Sequence, residues 1–175
     1  MPEIWAVLEH DESSEDSLSE NSGELLAELA EIAQRQKEDT ALCAVLLSAP
    51  ETAPADMSLF SSLGVQHLYL LEHSALAYYS TEGYVSALAW LIRQRTPVLV
   101  TASATANGRD WMPRLAARLH LPFVPGCLDL DLHDDAIFAL RAVYEGRAYV
   151  QSRTEMNRRT GLATFVPGVR GTPEE

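Results

Sequence analysis

The chain has 175 residues, of which 47% are apolar and 22% charged. That composition suits one globular domain and excludes disordered, collagen-like and membrane-spanning classes. The net charge of −12 is unevenly spread: residues 1–92 carry two basic residues against sixteen acids (−14), and residues 93–175 carry eleven against nine (+2). A phosphate-tracking surface needs clustered Lys and Arg, so nucleic acid is not an expected partner.

The longest apolar run, Ala41 to Leu47, stops at Ser48, well short of the ~20 residues of a spanning helix. The N-terminus is acidic where a secretory signal is basic, so a cytoplasmic location is expected. Cys43 lies in an apolar segment and Cys127 follows Pro125-Gly126. Two cysteines make neither a disulfide framework nor a metal cluster, and they read as free thiols, one in a buried strand and one in a loop.

Ile4 to Leu8 is short, apolar and bounded by acids, which predicts a strand buried on both faces. Residues 9–22 hold six acids with serines and no base, which predicts a solvated loop. Asn21 followed by Glu24 resembles a capping box, and Leu25, Leu26, Leu29, Ile32 and Ala33 share one helical face, predicting a helix over 23–37. Ala41 to Leu47 is a second strand; Pro50 and Pro54 then break the chain before a short helix over 55–63 that Gly64 stops. His67 to Leu71 is a third strand, 81–94 a helix, and Pro97 to Thr101 a fourth strand. A helix over 110–119, with Pro113 in its first turn, leads to a fifth strand, Leu121 to Val124.

Strands alternating with helices predict an α/β fold: a doubly wound parallel sheet in three α/β/α layers. Ala136 to Val143 and Arg147 to Arg153 around Tyr144-Glu145-Gly146 then signal an added antiparallel β-hairpin. The division is a domain over 1–153 and, over 154–175, a last strand (Leu162 to Val166) with a loose tail.

The nine glycines form neither GxGxxG nor GxxxxGK, which removes a dinucleotide fingerprint and a P-loop. His10, His67, His73, His120 and His133 make no HxxxH pair, so no metal site is expected and the histidines read as surface residues. No nucleophile signature is present, so the chain is not read as an enzyme. The most polar connection is Thr101 to Asp110, after the fourth strand, where open α/β sheets place ligands. The hydroxyls of Thr101, Ser103 and Thr105, the N–H groups around Gly108 and the guanidinium of Arg109 form a candidate loop for a phosphate or a partner's carboxylate. The competing reading is that they cap the next helix. Tyr78-Tyr79 is either a stacking platform or loop packing, and Trp5, Trp90 and Trp111 read as core or rim.

Several segments together resemble the N-terminal domain of electron transfer flavoprotein α subunits. They are Val7-Leu8-Glu9-His10, Gly23-Glu24-Leu25-Leu26, Leu63-Gly64-Val65, Tyr84, Thr105, Gly108-Arg109-Asp110 and the helix Pro113 to Leu119. The hairpin Arg141 to Ala148 and Phe165 to Val169 extend the resemblance over nearly the whole chain. It implies an adenine-nucleotide-α-hydrolase-like fold, a docking role beside a β-type subunit or a flavin-binding domain, and electron transfer between dehydrogenases and the respiratory chain. In that family FAD is held chiefly by a C-terminal domain of the α subunit and AMP by the β subunit. FAD is therefore expected only in a complete complex and not on this chain alone. The alternative is an AMP- or ATP-binding module resembling universal stress proteins. A hydrolase of the same fold is disfavoured, because Glu9-His10-Asp11-Glu12 stands where its phosphate loop would be.

Overall fold

A computed structural model describes residues 1–11, 14–36, 39–50 and 58–168. Pro54, the first three residues of the expected 55–63 helix and the tail beyond Gly168 lie outside the described residues. Among the described residues ten strands occur: β1 Glu3–Leu8, β2 His10–Asp11, β3 Ser14–Leu18, β4 Ala41–Ser48, β5 His67–Glu72, β6 Leu99–Ser103, β7 Phe123–His133, β8 Ala136–Val143, β9 Ala148–Glu155 and β10 Gly161–Phe165. The helices are α1 Glu20–Arg35, α2 Ser58–Ser62, α3 Thr81–Arg95 and α4 Ala106–Leu119, with a 3₁₀ turn at Ser74–Leu76.

Eight strands form one sheet in the order β5-β4-β1-β6-β10-β7-β8-β9, parallel from β5 to β7 and antiparallel from β7 to β9. The parallel strands are apolar runs because helices cover both of their faces. On one face Ile4, Ala6, Leu8, Leu42, Ala44 and Leu46 pack with Leu25, Leu26, Leu29 and Ile32 of α1 and Phe60 of α2. On the other, Trp5, Val7, Cys43, Val45 and Leu47 meet Leu88 and Ile92 of α3 and Trp111, Met112 and Leu115 of α4. Each fully buried Leu or Ile of α1 contributes about 1.5–3 kcal/mol, which holds the helix against the sheet far more firmly than intrinsic propensity would. This is the three-layer α/β fold read from the pattern.

Several expectations need correction. Residues 9–22 are not all loop: β2 and β3 pair antiparallel, and α1 begins at Glu20 with Ser19, not Asn21, as its cap. The Ser19 hydroxyl accepts from Ser22 N–H at 3.3 Å, and the nearer serine wins because its backbone is extended as a cap requires. α4 starts four residues before Asp110, so Pro113 lies inside the helix and not in its first turn. The fifth strand is far longer than 121–124: Gly126, at φ +63°, carries the chain through Pro125, and Cys127 is a buried strand residue, not a loop residue. β7 turns into β8 through Asp134 and Asp135, both at positive φ, so the antiparallel unit has three strands. β10 is no peripheral addition, since it lies centrally between β6 and β7, bonded to both. Trp90 is 57% exposed and so is not a core residue.

Candidate functional site

The chain runs from β1 outward to β4 and β5, then returns on the other side of β1 as β6. Such a reversal leaves a crevice at the carboxyl ends of the strands. A cleft of about 910 Å³ lies there. Glu9 after β1, Ser48 at the end of β4 and Thr105 after β6 line it, together with the first turns of α1 and α4 and the Tyr78-Tyr79 segment.

Glu9 is clamped from both sides. Its N–H donates to Ser22 Oγ at 2.9 Å, and its carbonyl accepts from Ser22 Oγ at 3.0 Å and from Ser19 N–H at 3.1 Å. Its carboxylate accepts from Thr105 Oγ1 at 2.7 Å, while that same oxygen accepts from Gly108 N–H at 3.1 Å and so caps α4. A carboxylate of the chain itself thus stands at the N-terminus of α4, where the helix dipole favours an anion.

The five residues expected in one loop are split by the fold: Thr101 and Ser103 belong to β6, Thr105 is the cap between strand and helix, and Gly108 and Arg109 lie in α4. Thr101 is fully buried and donates to Trp5 O at 2.9 Å; Ser103 is buried and donates to Asn21 O at 3.1 Å. Thr105 reaches the cleft, Gly108 is buried, and Arg109 is exposed with its N–H bonded to Thr105 O. A Cβ on Gly108 would run into the Ser103 carbonyl, so glycine lets α4 start close against β6.

The aromatic wall is built from a loop and a helix. Tyr78 is 87% exposed, and Tyr79 packs edge-on to Tyr84 at 5.1 Å. Tyr79 donates to Asp110 Oδ2 at 2.6 Å, and Thr81 binds the same oxygen, which ties the loop to α4. These bonds, that of Thr81 first, hold the Asp110 carboxyl below the usual range, with Arg114 beside it. Burial first, and the Glu9 charge second, push the Tyr84 phenol up to about 12, so it stays neutral. Sequence reasoning had read Tyr84 as part of the 81–94 helix pattern and of the resemblance, not as a cleft residue, and had missed Ser48. Its signal is positional, since it closes the strand beside the reversal point.

A flavin dinucleotide or an AMP needs donors for its phosphates. Among the described lining residues none is Lys or Arg, Glu9 is bonded to the Thr105 cap of α4 and Ser19 caps α1, so the lining described is a poor fit to the phosphates of either group, with His10 its one titratable base. Among the described residues no helix is long and apolar enough to cross a membrane, and no group of three or more metal-ligand side chains occurs.

The family model for the electron transfer flavoprotein domain matches residues 5–174. The chain is 32% identical over 168 residues, 95% of its length, to the electron transfer flavoprotein subunit alpha of Clostridium acetobutylicum, covering 48% of that protein. It is 28% identical over 168 residues to Protein FixB of Clostridium saccharobutylicum, again covering 48% of it. A 69-residue stretch is 33% identical to the acryloyl-CoA reductase electron transfer subunit beta of Anaerotignum propionicum, covering 39% of this chain and 19% of that protein. The chain spans about half the length, or less, of the curated relatives it matches. With the doubly wound sheet and a match over nearly all of its length, the chain belongs to the electron transfer flavoprotein domain family.

Proposed function

We propose that the chain is the docking scaffold of an electron transfer flavoprotein α-type subunit, pairing with a β-type subunit in the cytoplasm and carrying no catalysis of its own. The observation that carries this reading is the alignment over 168 residues with a named α subunit. The antiparallel end of the sheet supports it. β8 and β9 pack chiefly on β7 and on each other, and the outer strand exposes Tyr149 and Val150 beside Tyr144 of the turn. An open edge strand with exposed tyrosines is a surface that a partner covers.

In this reading FAD belongs to the complete complex, and the exposed Arg109 beside the α4 cap is a partner-facing group, not a phosphate ligand. The AMP- or ATP-binding alternative ranks below it, since Glu9 already supplies the anion at α4. The test is co-expression with a β-type subunit followed by size-exclusion chromatography and an absorbance spectrum. A complex that carries flavin, and that Tyr149→Asp with Val150→Asp dissociates without lowering the melting temperature of the free chain, is the expected result. Failure to co-elute at micromolar concentration would sink the docking role.

A further inference from the structure

The docking surface leaves the switch-point cleft without a task, although the cleft holds an unmet polar group. Ser48 is 3% exposed, and its hydroxyl has no hydrogen-bond partner among the described residues. It sits at the end of β4, in the lining of the 910 Å³ cleft. Buried hydroxyls are nearly always satisfied, and one left open beside a cleft points to a ligand atom. The volume falls in the range of roughly 300–1,000 Å³ typical of small-molecule sites.

The lining fixes the sign of that ligand. Glu9 and Glu20 contribute carboxylates, His10 is the titratable base beside them, and among the described residues no Lys or Arg lines the space, so two carboxylates outnumber one imidazole. Helix N-termini ordinarily attract anions, but Ser19 caps α1, and Thr105 with Glu9 fills the start of α4. An incoming phosphate would meet like charge, whereas a cation would find counter-charges in a partly enclosed site where they are poorly screened. The faces of Tyr78, Tyr79 and Tyr84 add the quadrupole that ammonium and guanidinium groups seek.

We propose that the cleft binds an organic cation, an ammonium or guanidinium group on a short apolar stem, with Ser48 Oγ accepting one of its hydrogen bonds. Glu9 and Glu20 balance its charge, and the tyrosines and Leu76 enclose the stem. The same group is carried by free amines and by an Arg or Lys side chain of a docked polypeptide. The inference is independent of the β-type partner and can fail without it.

The test is an NMR titration of the full chain at low salt with agmatine, with the peptide acetyl-Gly-Arg-Gly-amide, and with AMP. Agmatine or the peptide should give saturable shifts at Ser48, Tyr79 and Tyr84 that weaken on raising the salt, while AMP gives none. Tighter binding of agmatine assigns the free amine, and tighter binding of the peptide assigns the side chain. Ser48→Ala and Glu20→Gln should each weaken binding about fivefold or more, as expected for losing one charge-assisted hydrogen bond or one counter-charge. Ser48→Ala removes an unmet buried group, so its melting temperature should not fall, and that separates lost binding from lost folding. The proposal is overturned if AMP saturates and the cations do not, if no probe saturates, or if both variants bind as the parent does.

Discussion

Gly108→Ala and Gly23→Ala are the same chemical change at two helical glycines, and the structure assigns them opposite signs. In a helix the change normally stabilises by about 0.5–1 kcal/mol, since Ala gives up less backbone freedom on folding. Gly23, in the first turns of α1, has nothing within 4 Å of an added Cβ and should show that gain. At Gly108 the methyl would meet the backbone carbonyl of Ser103, the last residue of β6, which pairs with β10 and cannot turn aside. α4 must then pull back from the sheet, stretching the 3.1 Å bond from Gly108 N–H to Thr105. Overpacking costs about 1–3 kcal/mol and a weakened cap about 1, against a gain of about 1 from propensity, leaving a net loss of about 2 kcal/mol. For a chain of this size that lowers the melting temperature by about 4–8 °C. Urea unfolding followed by circular dichroism measures both variants, with an unchanged slope as the check that the unfolded state is the same. If Gly108→Ala matches or exceeds the parent in stability, the close approach of α4 to β6 is not what glycine serves there.

Glu3 is more buried than exposed; burial alone would raise its pKa, but hydrogen bonds from Trp5 and Tyr69, with Arg95 adjacent, hold it below the usual range. A depressed folded-state pKa contributes stability above the usual carboxylate range that is lost as pH falls through it. Glu3→Gln should therefore cost about 2 kcal/mol at neutral pH, the size of a hydrogen bond to a charged group, and flatten the acid limb of a stability–pH curve. Burial first pushes both Cys43 and Cys127 up to about 12. Neither should react with Ellman's reagent in the native chain at pH 8, and both should react in urea. Pro113 lacks the N–H that would bond Arg109 O inside α4, so Pro113→Ala should raise the melting point by restoring that bond, a gain of up to about 3 kcal/mol. A fall instead would mean that the helix is shaped around the ring.

The parallel half of the sheet was legible because β1, β4 and β6 are buried on both faces and read as apolar runs without alternation. The antiparallel half was legible only where a glycine marked its turn, at Tyr144-Glu145-Gly146. Leu128 to Leu132 alternates in plain view, but Pro125-Gly126 reads as a break. The Asp134-Asp135 turn uses positive φ without the glycine that usually announces it. The insertion of β10 between β6 and β7 could not be read at all, since strand order depends on long-range pairing and not on local pattern. The site shows the same division. The loop after β6 was found from its position, yet which of its hydroxyls face the cleft depends on partners such as Trp5 O and Asn21 O, distant in sequence. Glu9 was seen as a charge, and its bond to Thr105 was not.

The charge asymmetry noticed first in the sequence acquires a spatial meaning on this sheet. Residues 1–92 supply β5, β4 and β1 and most of the cleft lining, and the two carboxylates of that lining, Glu9 and Glu20, come from this acidic half. All eleven basic residues of the second half are arginines; Arg147 is exposed in the turn between Tyr144 and Tyr149, and Arg153 is exposed further along β9. Tyr and Arg are the residues that protein interfaces concentrate, because they give large, hydrogen-bonding contact area at low entropic cost, whereas Lys is depleted there. The proposed cation cleft, at the carboxyl ends of β1, β4 and β6, and the proposed docking edge, at β9, lie on separate parts of the sheet. A partner that covers β9 therefore leaves the cleft open, and a cation in the cleft leaves the edge free. That separation makes the two proposals independent: Tyr149→Asp with Val150→Asp should abolish docking and spare agmatine binding, and Ser48→Ala should weaken agmatine binding about fivefold or more and spare docking.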